Sequence, residues 1–181
     1  VDRLMGEDCV TADDKALGEL PYRRGVGAAL FNGKGEVWVG RRIAKIGQDL
    51  ENYWQLPQGG IDHDEAPSEA VFRELLEETG TNRASIVAET EGWLTYDLPA
   101  DLQGVAWGGH YRGQEQKWFA LSFNGDDGDF KLDAHDDPEF DAWQWVEFSA
   151  LPSLIVPFKR GIYEGIVGEF ANIPTRVRSQ L

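Results

Sequence analysis

Three glutamates within Arg73-Glu74-Leu75-Leu76-Glu77-Glu78 constrain this chain more than any other stretch. Their spacing of i, i+3 and i+4 puts them on one face of a helix. With Glu74 at zero and about 100° per residue, Glu78 falls near ~40° and Glu77 near ~−60°. Val71, Phe72, Leu75, Leu76 and Thr79 cover the opposite arc and form the predicted buried side. Pro67 and Ser68 mark the predicted helix start, and Gly80 stands in the C-cap position. Like charges at this spacing repel by a few tenths of a kcal/mol per pair, a repulsion that a divalent cation would remove. Hard oxygen ligands suit Mg²⁺ or Mn²⁺ and not zinc. An acid-rich helix face on its own is most often a solvated surface. The frame changes that reading, because the Gly59-Gly60 turn just ahead lets backbone approach a ligand closely.

The length of 181 residues allows one domain with a sizeable core. Residues 1–20 are polar and aperiodic and are expected to form a flexible N-terminal arm, with the domain over 21–173 and a C-terminal tail over 174–181. Thirty-two acids against 17 bases give a net charge of −15, which argues against an extended nucleic-acid groove. A small basic pocket on the acidic body is compatible with that charge and could hold a nucleotide or the end of an RNA chain. Cys9 is the sole cysteine, so no internal disulfide forms, and it is not read as a nucleophile. No apolar run reaches the ~20 residues of a membrane span, and the first twenty residues lack the hydrophobic stretch of a secretory signal. A cytoplasmic location is the expectation.

An apolar run predicts a buried strand at 24–31, joined in a hairpin by a turn at Asn32-Gly33-Lys34-Gly35 to an alternating return strand at 36–42. Further strands are predicted at 53–56, 85–91, 92–96, 116–123 and, by alternation, 141–148. Segments 43–51, 98–112 and 124–138 read as loops, and 158–170 as a second helix. Strands and two helices in this order predict an α/β/α sandwich on a mixed sheet.

Gly59, five residues, Glu65, seven residues, then Arg73-Glu74-Leu75, one residue, Glu77-Glu78, one residue and Gly80 resembles the signature of the Nudix hydrolases. The last position, usually aliphatic in that family, is Thr81, a packing variation at a site with no chemical group in play. Tyr53–Gly60, Gly113–Phe119, Pro138–Trp143 and Phe158-Lys159-Arg160 are further similar to the bacterial branch that includes RNA pyrophosphohydrolases and asymmetrical dinucleoside tetraphosphate hydrolases. The likeness runs from about residue 22 to 170 and implies the same Nudix sandwich for the 21–173 domain.

The resemblance implies metal binding by Glu74, Glu77 and Glu78, with Glu139 as a fourth acid and a Gly59 carbonyl as a further ligand. Arg73 is expected to orient a glutamate and Glu65 to support the loop. Phe158 corresponds to a base-stacking face, Arg23 and Tyr96 to the pocket border, and Arg42, Lys117 and Lys159 to phosphate contacts. Taken by themselves, Phe158 reads as core, Glu139 as one acid in a solvated loop, and Arg41-Arg42 and Lys159-Arg160 as surface charge. His63, His110 and His135 have no metal-ligand spacing.

A divalent cation in such a site binds phosphate oxygens and activates water, and phosphoanhydride cleavage needs mainly charge neutralisation and alignment. The expected activity is therefore metal-dependent pyrophosphohydrolysis of nucleoside polyphosphates. Two substrates fit: triphosphate 5′ ends of RNA, releasing pyrophosphate, and dinucleoside tetraphosphates, giving ATP and AMP. Alternatives are a nucleotide-sensing module without turnover and a hydrolase that cleanses nucleoside triphosphates or sugar nucleotides.

Overall fold

The computed structural model describes residues 19–44 and 53–180. Nearly all of the expected N-terminal arm, Cys9 included, and most of the 43–51 loop lie outside the described residues.

The strands are β1 (Tyr22–Phe31), β2 (Val37–Arg42), β3 (Trp54–Gln55), β4 (Gln58–Gly60), β5 (Ala84–Glu89), β6 (Leu94–Asp97), β7 (Gly113–Phe123) and β8 (Phe140–Val146). The helices are α1 (Pro67–Thr79), α2 (Leu151–Leu154), α3 (Arg160–Glu169) and α4 (Ile173–Arg178). The strands form a sheet in the order β3-β2-β1-β7-β5, with β4 pairing β1, β6 pairing β7 and β8 pairing β2. Only β1 and β7 run parallel, so the sheet is mixed.

Strand β1 is buried from Gly25 to Phe31 because both faces of the sheet are covered. Val26, Ala28 and Leu30 join Phe119 and Leu121 of β7 under α1, packed with Ala70, Val71 and Leu75. Ala29 and Phe31 join Trp118 and Ala120 on the other face, packed with Ile162, Tyr163 and Ile166 of α3. Helices on both faces of one mixed sheet make the expected α/β/α sandwich.

Helix α1 starts at Pro67, whose fixed φ suits a first helical position. It stops at Gly80, where φ is 83° and the backbone N–H caps the Leu76 carbonyl. A Cβ there would also collide with Lys131, so Gly80 is required both by conformation and by space.

Several expectations change. The predicted hairpin splays: β1 meets β2 at Phe31–Val37, while β2 pairs along its length with β8 and β1 takes β4. The Gln58–Gly60 turn is therefore a strand, held by its ladder to Gly25–Gly27. Leu76, placed on the buried arc by periodicity, is 41% exposed, because the sheet covers only the Val71–Leu75–Thr79 stripe. Residues from 174 on, expected as a tail, include most of α4, whose Ile173 and Val177 are buried in the core.

Candidate active site

Arg73 organises the loop ahead of α1. Its Nε and Nη2 donate to the two carboxylate oxygens of Glu65 at 2.7 and 2.8 Å, a bidentate pair. Nη2 also donates to the Gly60 carbonyl at 2.8 Å, and Nη1 to Glu74 at 2.9 Å and Glu77 at 3.4 Å. One guanidinium thus ties the glycine strand, the loop carboxylate and two helix acids together. Glu65 accepts in addition from the Asp62 N–H at 2.9 Å. Arg73 hydrogen bonding, the largest influence, holds the Glu65 carboxyl below the usual carboxylate range. Gly59 has no Cβ for a steric reason: one would fall on the Glu74 carboxylate.

Beside this clamp lies a cavity of about 680 Å³. Glu74 and Glu78 enter from α1 and Glu139 from the residue before β8. Burial raises Glu74 to about 7, against the opposing hydrogen bond from Arg73. Glu78 is 8% exposed and accepts from the Gln58 N–H at 3.2 Å. Burial, followed by the charges of Glu74 and Glu139, pushes its carboxyl well above the ordinary range. Such crowded acids attract either protons or a cation.

Cations approach from the facing elements. The β2–β8 register shifts between Arg41 and Arg42. That bulge re-aims the strand end: Arg41 pairs with Asp141 at 2.7 Å, whereas Arg42 turns into the cavity, 3.6 Å from Glu139. Arg42 Nε is buried with no hydrogen-bond partner among the described residues. Lys159 also lines the cavity, and burial, then the neighbouring Arg42, lowers its ammonium to about 8. Its Nζ stands 5.3 and 5.9 Å from the ring centroids of Tyr96 and Phe158, which pack 5.9 Å apart.

Glu74, Glu78, Glu139 and Gly59 from the expected metal set therefore share the cavity with Arg23, Arg42, Tyr96, Phe158 and Lys159. Besides Arg73, which stands behind the cavity, two expected residues do not line it. Glu77 is 44% exposed and turns toward Arg73. Lys117 donates to the Thr90 carbonyl and, at 3.5 Å, to that of Glu91. On β7 the neighbours of Lys117 point the other way: Gln114 and Gln116 are buried beside Tyr96 and Gln58, linked by bonds of 2.8 to 3.1 Å. Gln58, Gln114 and Trp107 line the cavity and were not anticipated. The period-two glutamines of Gly113-Gln114-Glu115-Gln116 were a usable signal, since polar side chains on a core-facing register need partners.

The family profile described as NUDIX domain matches residues 21–166. The chain belongs to the Nudix family. The RNA pyrophosphohydrolase of Gluconacetobacter diazotrophicus is 57% identical over 156 residues, covering 84% of this chain and 93% of that protein. That of Rhodospirillum rubrum is 54% identical over 153 residues, covering 84% and 88%. Among solved structures, the MutT protein from Methanosarcina mazei Go1 superposes with a TM-score of 0.55 at 24% identity, over 83% of this chain and 96% of that one. A C. elegans Ap4A hydrolase does so at 0.58 and 17%, over 83% and 98%. These two likenesses establish the Nudix fold, and the chain is a Nudix hydrolase.

Nudix hydrolases generally work with divalent metal ions. The donor set fits: the carboxylates of Glu74, Glu78 and Glu139 are hard oxygens gathered on one cavity. Among the described residues no three acids close into a finished cation cage, and Arg73 engages one oxygen each of Glu74 and Glu77.

Proposed function

We propose that this Nudix hydrolase removes pyrophosphate from triphosphate 5′ ends of RNA, with Mg²⁺ or Mn²⁺ held by Glu74, Glu77, Glu78 and Glu139 and a Gly59 carbonyl. The observation that carries the reading is one cavity with crowded carboxylates beside Arg42, Lys159 and Arg23 and an aromatic pair, Tyr96 and Phe158. That is the order of parts a phosphate chain followed by a base requires. The name shared by curated relatives at 45–57% identity favours RNA ends over dinucleoside tetraphosphates.

When bound, the cation supplies charge neutralisation on the phosphates and lowers the pKa of water. The chain's own groups do the rest. Arg42, with its unpartnered Nε, and Lys159 offer donors to non-bridging phosphate oxygens. Arg23 borders the same space. One of the cavity carboxylates Glu74, Glu78 and Glu139 takes a proton from the attacking water while the others hold the cation. Attack at phosphorus breaks one P–O anhydride bond, and the leaving pyrophosphate departs with its negative charge matched by Lys159 and Arg42. Tyr96 and Phe158 supply an aromatic wall at the base end of the cavity. The same reading places the work in the cytoplasm; among the described residues no helix is long and apolar enough to cross a membrane.

The test is a comparison of turnover on triphosphate-ended RNA and diadenosine tetraphosphate with Mg²⁺ present. A higher kcat/KM on RNA, with pyrophosphate as product, is expected. A clear preference for the dinucleotide would move the assignment to the second substrate, and activity on neither would overturn it.

A further inference from the structure

The segment between β6 and β7 carries a second aromatic feature of the cavity. Trp107 has φ 50° and ψ 38°, the left-handed region that bulky side chains avoid. Such a conformation persists only when its surroundings over-determine it. Here they do. Leu102 and Ala106 donate backbone hydrogen bonds to Pro99 and Leu102 at 2.9 and 3.0 Å. Gln103 Nε2 donates to the Leu98 carbonyl at 2.6 Å. Gly109, at φ 75°, sits so close to Gly104 that a Cβ would lie 3.0 Å from the Gly104 carbonyl oxygen. The segment is a self-bonded knuckle that presents one indole, half-buried, at the cavity wall.

Arg23 joins this indole to β4. Its guanidinium carbon stands 5.4 Å from the Trp107 ring centroid. The same guanidinium lies over Gly60, where a Cβ would fall on Arg23 Nη2. A single planar cation therefore touches the glycine strand beside Glu74 and a flat aromatic surface further along the cavity. Tyr111 braces the indole edge-on, with centroids 6.4 Å apart and planes at 79°. By contrast, the rings of Tyr96 and Phe158 pack on each other under the Lys159 ammonium.

We infer that Trp107, braced by Arg23, is a specificity-determining residue: a stacking shelf for a nucleobase, which makes the enzyme prefer base-bearing polyphosphates over base-free ones. The inference rests on the proposed nucleoside-polyphosphate reading. A base laid on this surface gains stacking on the indole and a cation–π contribution from the guanidinium. The phosphates joined to it then run toward Gly60 and Glu74, within the charge of Arg23.

The test compares Trp107→Gly and Trp107→Phe with the parent on a triphosphate-ended dinucleotide and on its abasic counterpart. Glycine tolerates φ 50° and removes only the indole; phenylalanine keeps a flat face. Trp107→Gly should raise KM on the base-bearing substrate about 10-fold or more, the scale of losing one base–aromatic stack. Its kcat and its abasic KM should stay within about 2-fold of the parent, and Trp107→Phe should recover most of the loss. Equal losses on both substrates, or none, would overturn the shelf. Equilibrium binding of a β,γ-methylene nucleoside triphosphate and of methylene-bridged tripolyphosphate gives the same comparison without turnover. If the parent hydrolyses no nucleoside polyphosphate, the proposed function fails, and this binding ratio still decides the shelf.

Discussion

Arg73 and Glu65 are joined by two parallel hydrogen bonds of 2.7 and 2.8 Å, and the same guanidinium reaches Glu74 at 2.9 Å. The signature's arginine therefore works behind the cavity, setting the direction of an acid that lines it. Glu65→Gln keeps the shape and loses the charge-assisted pair. It should cost about 1–3 kcal/mol of stability in denaturant unfolding and lower kcat more than it raises KM. Unchanged kcat in a folded variant would show that Glu74 needs no such orientation.

Glu78→Gln should cut turnover at least ~10²-fold, the scale of removing a key electrostatic group. It should also stabilise the metal-free protein at pH 8, because burial and the Glu74 and Glu139 charges disfavour its ionised form. Glu77→Gln should lower turnover on a similar scale without that stabilisation, since its side chain is 44% exposed. Steady-state rates and thermal melts on the two variants provide the check, and near-parental rates in both would sink the metal assignment.

Glu74 sets a pH dependence whose sign follows from its shift. Burial raises it from an ordinary 4.5 to about 7, so the folded protein keeps a proton that the unfolded chain has released. Its contribution is fully present below 4.5 and is lost as pH rises through about 7. Glu78 acts in the same direction. Stability of the metal-free protein should therefore fall across this window. Mg²⁺ should raise Tm more at pH 8 than at pH 5.5, because a cation on ionised acids competes with protons. A Mg²⁺ effect independent of pH would contradict the link.

Lys159 and Lys117 separate the cavity from its surroundings. Lys159→Ala should raise KM about 10-fold or more, as loss of one charged hydrogen bond predicts. Lys117→Ala, whose ammonium is engaged with the Thr90 carbonyl away from the cavity, should leave kcat/KM within about 2-fold. A large effect at Lys117 would place phosphate on the other side of β7.

Tyr163 supports the active-site strand from α3. Its hydroxyl accepts from the Leu56 N–H at 2.8 Å, just ahead of Pro57-Gln58-Gly59. Tyr163→Phe leaves that buried donor unpaired and should destabilise by about 1–3 kcal/mol. Urea unfolding together with hydrogen exchange at Leu56 measures the loss.

The chain order alone determined whatever is local. The α1 boundaries and the shared arc of Glu74, Glu77 and Glu78 follow from 3.6-residue periodicity and capping, and the Arg73–Glu65 clamp is short-range, with every Arg73 partner among the described residues within 13 residues. The unbroken apolar run from Val26 to Phe31 likewise announced a strand covered on both faces. Only the tertiary structure decided which side of each element meets the cavity. Period two shows that Gln116 and Lys117 face opposite ways but not which way is inward; the ladder to β1 settles that. Arg42 enters the site through a bulge against β8, whose strand begins about a hundred residues later. Glu77 turns outward and Glu78 inward because β4 packs against one flank of α1 and leaves the other to water.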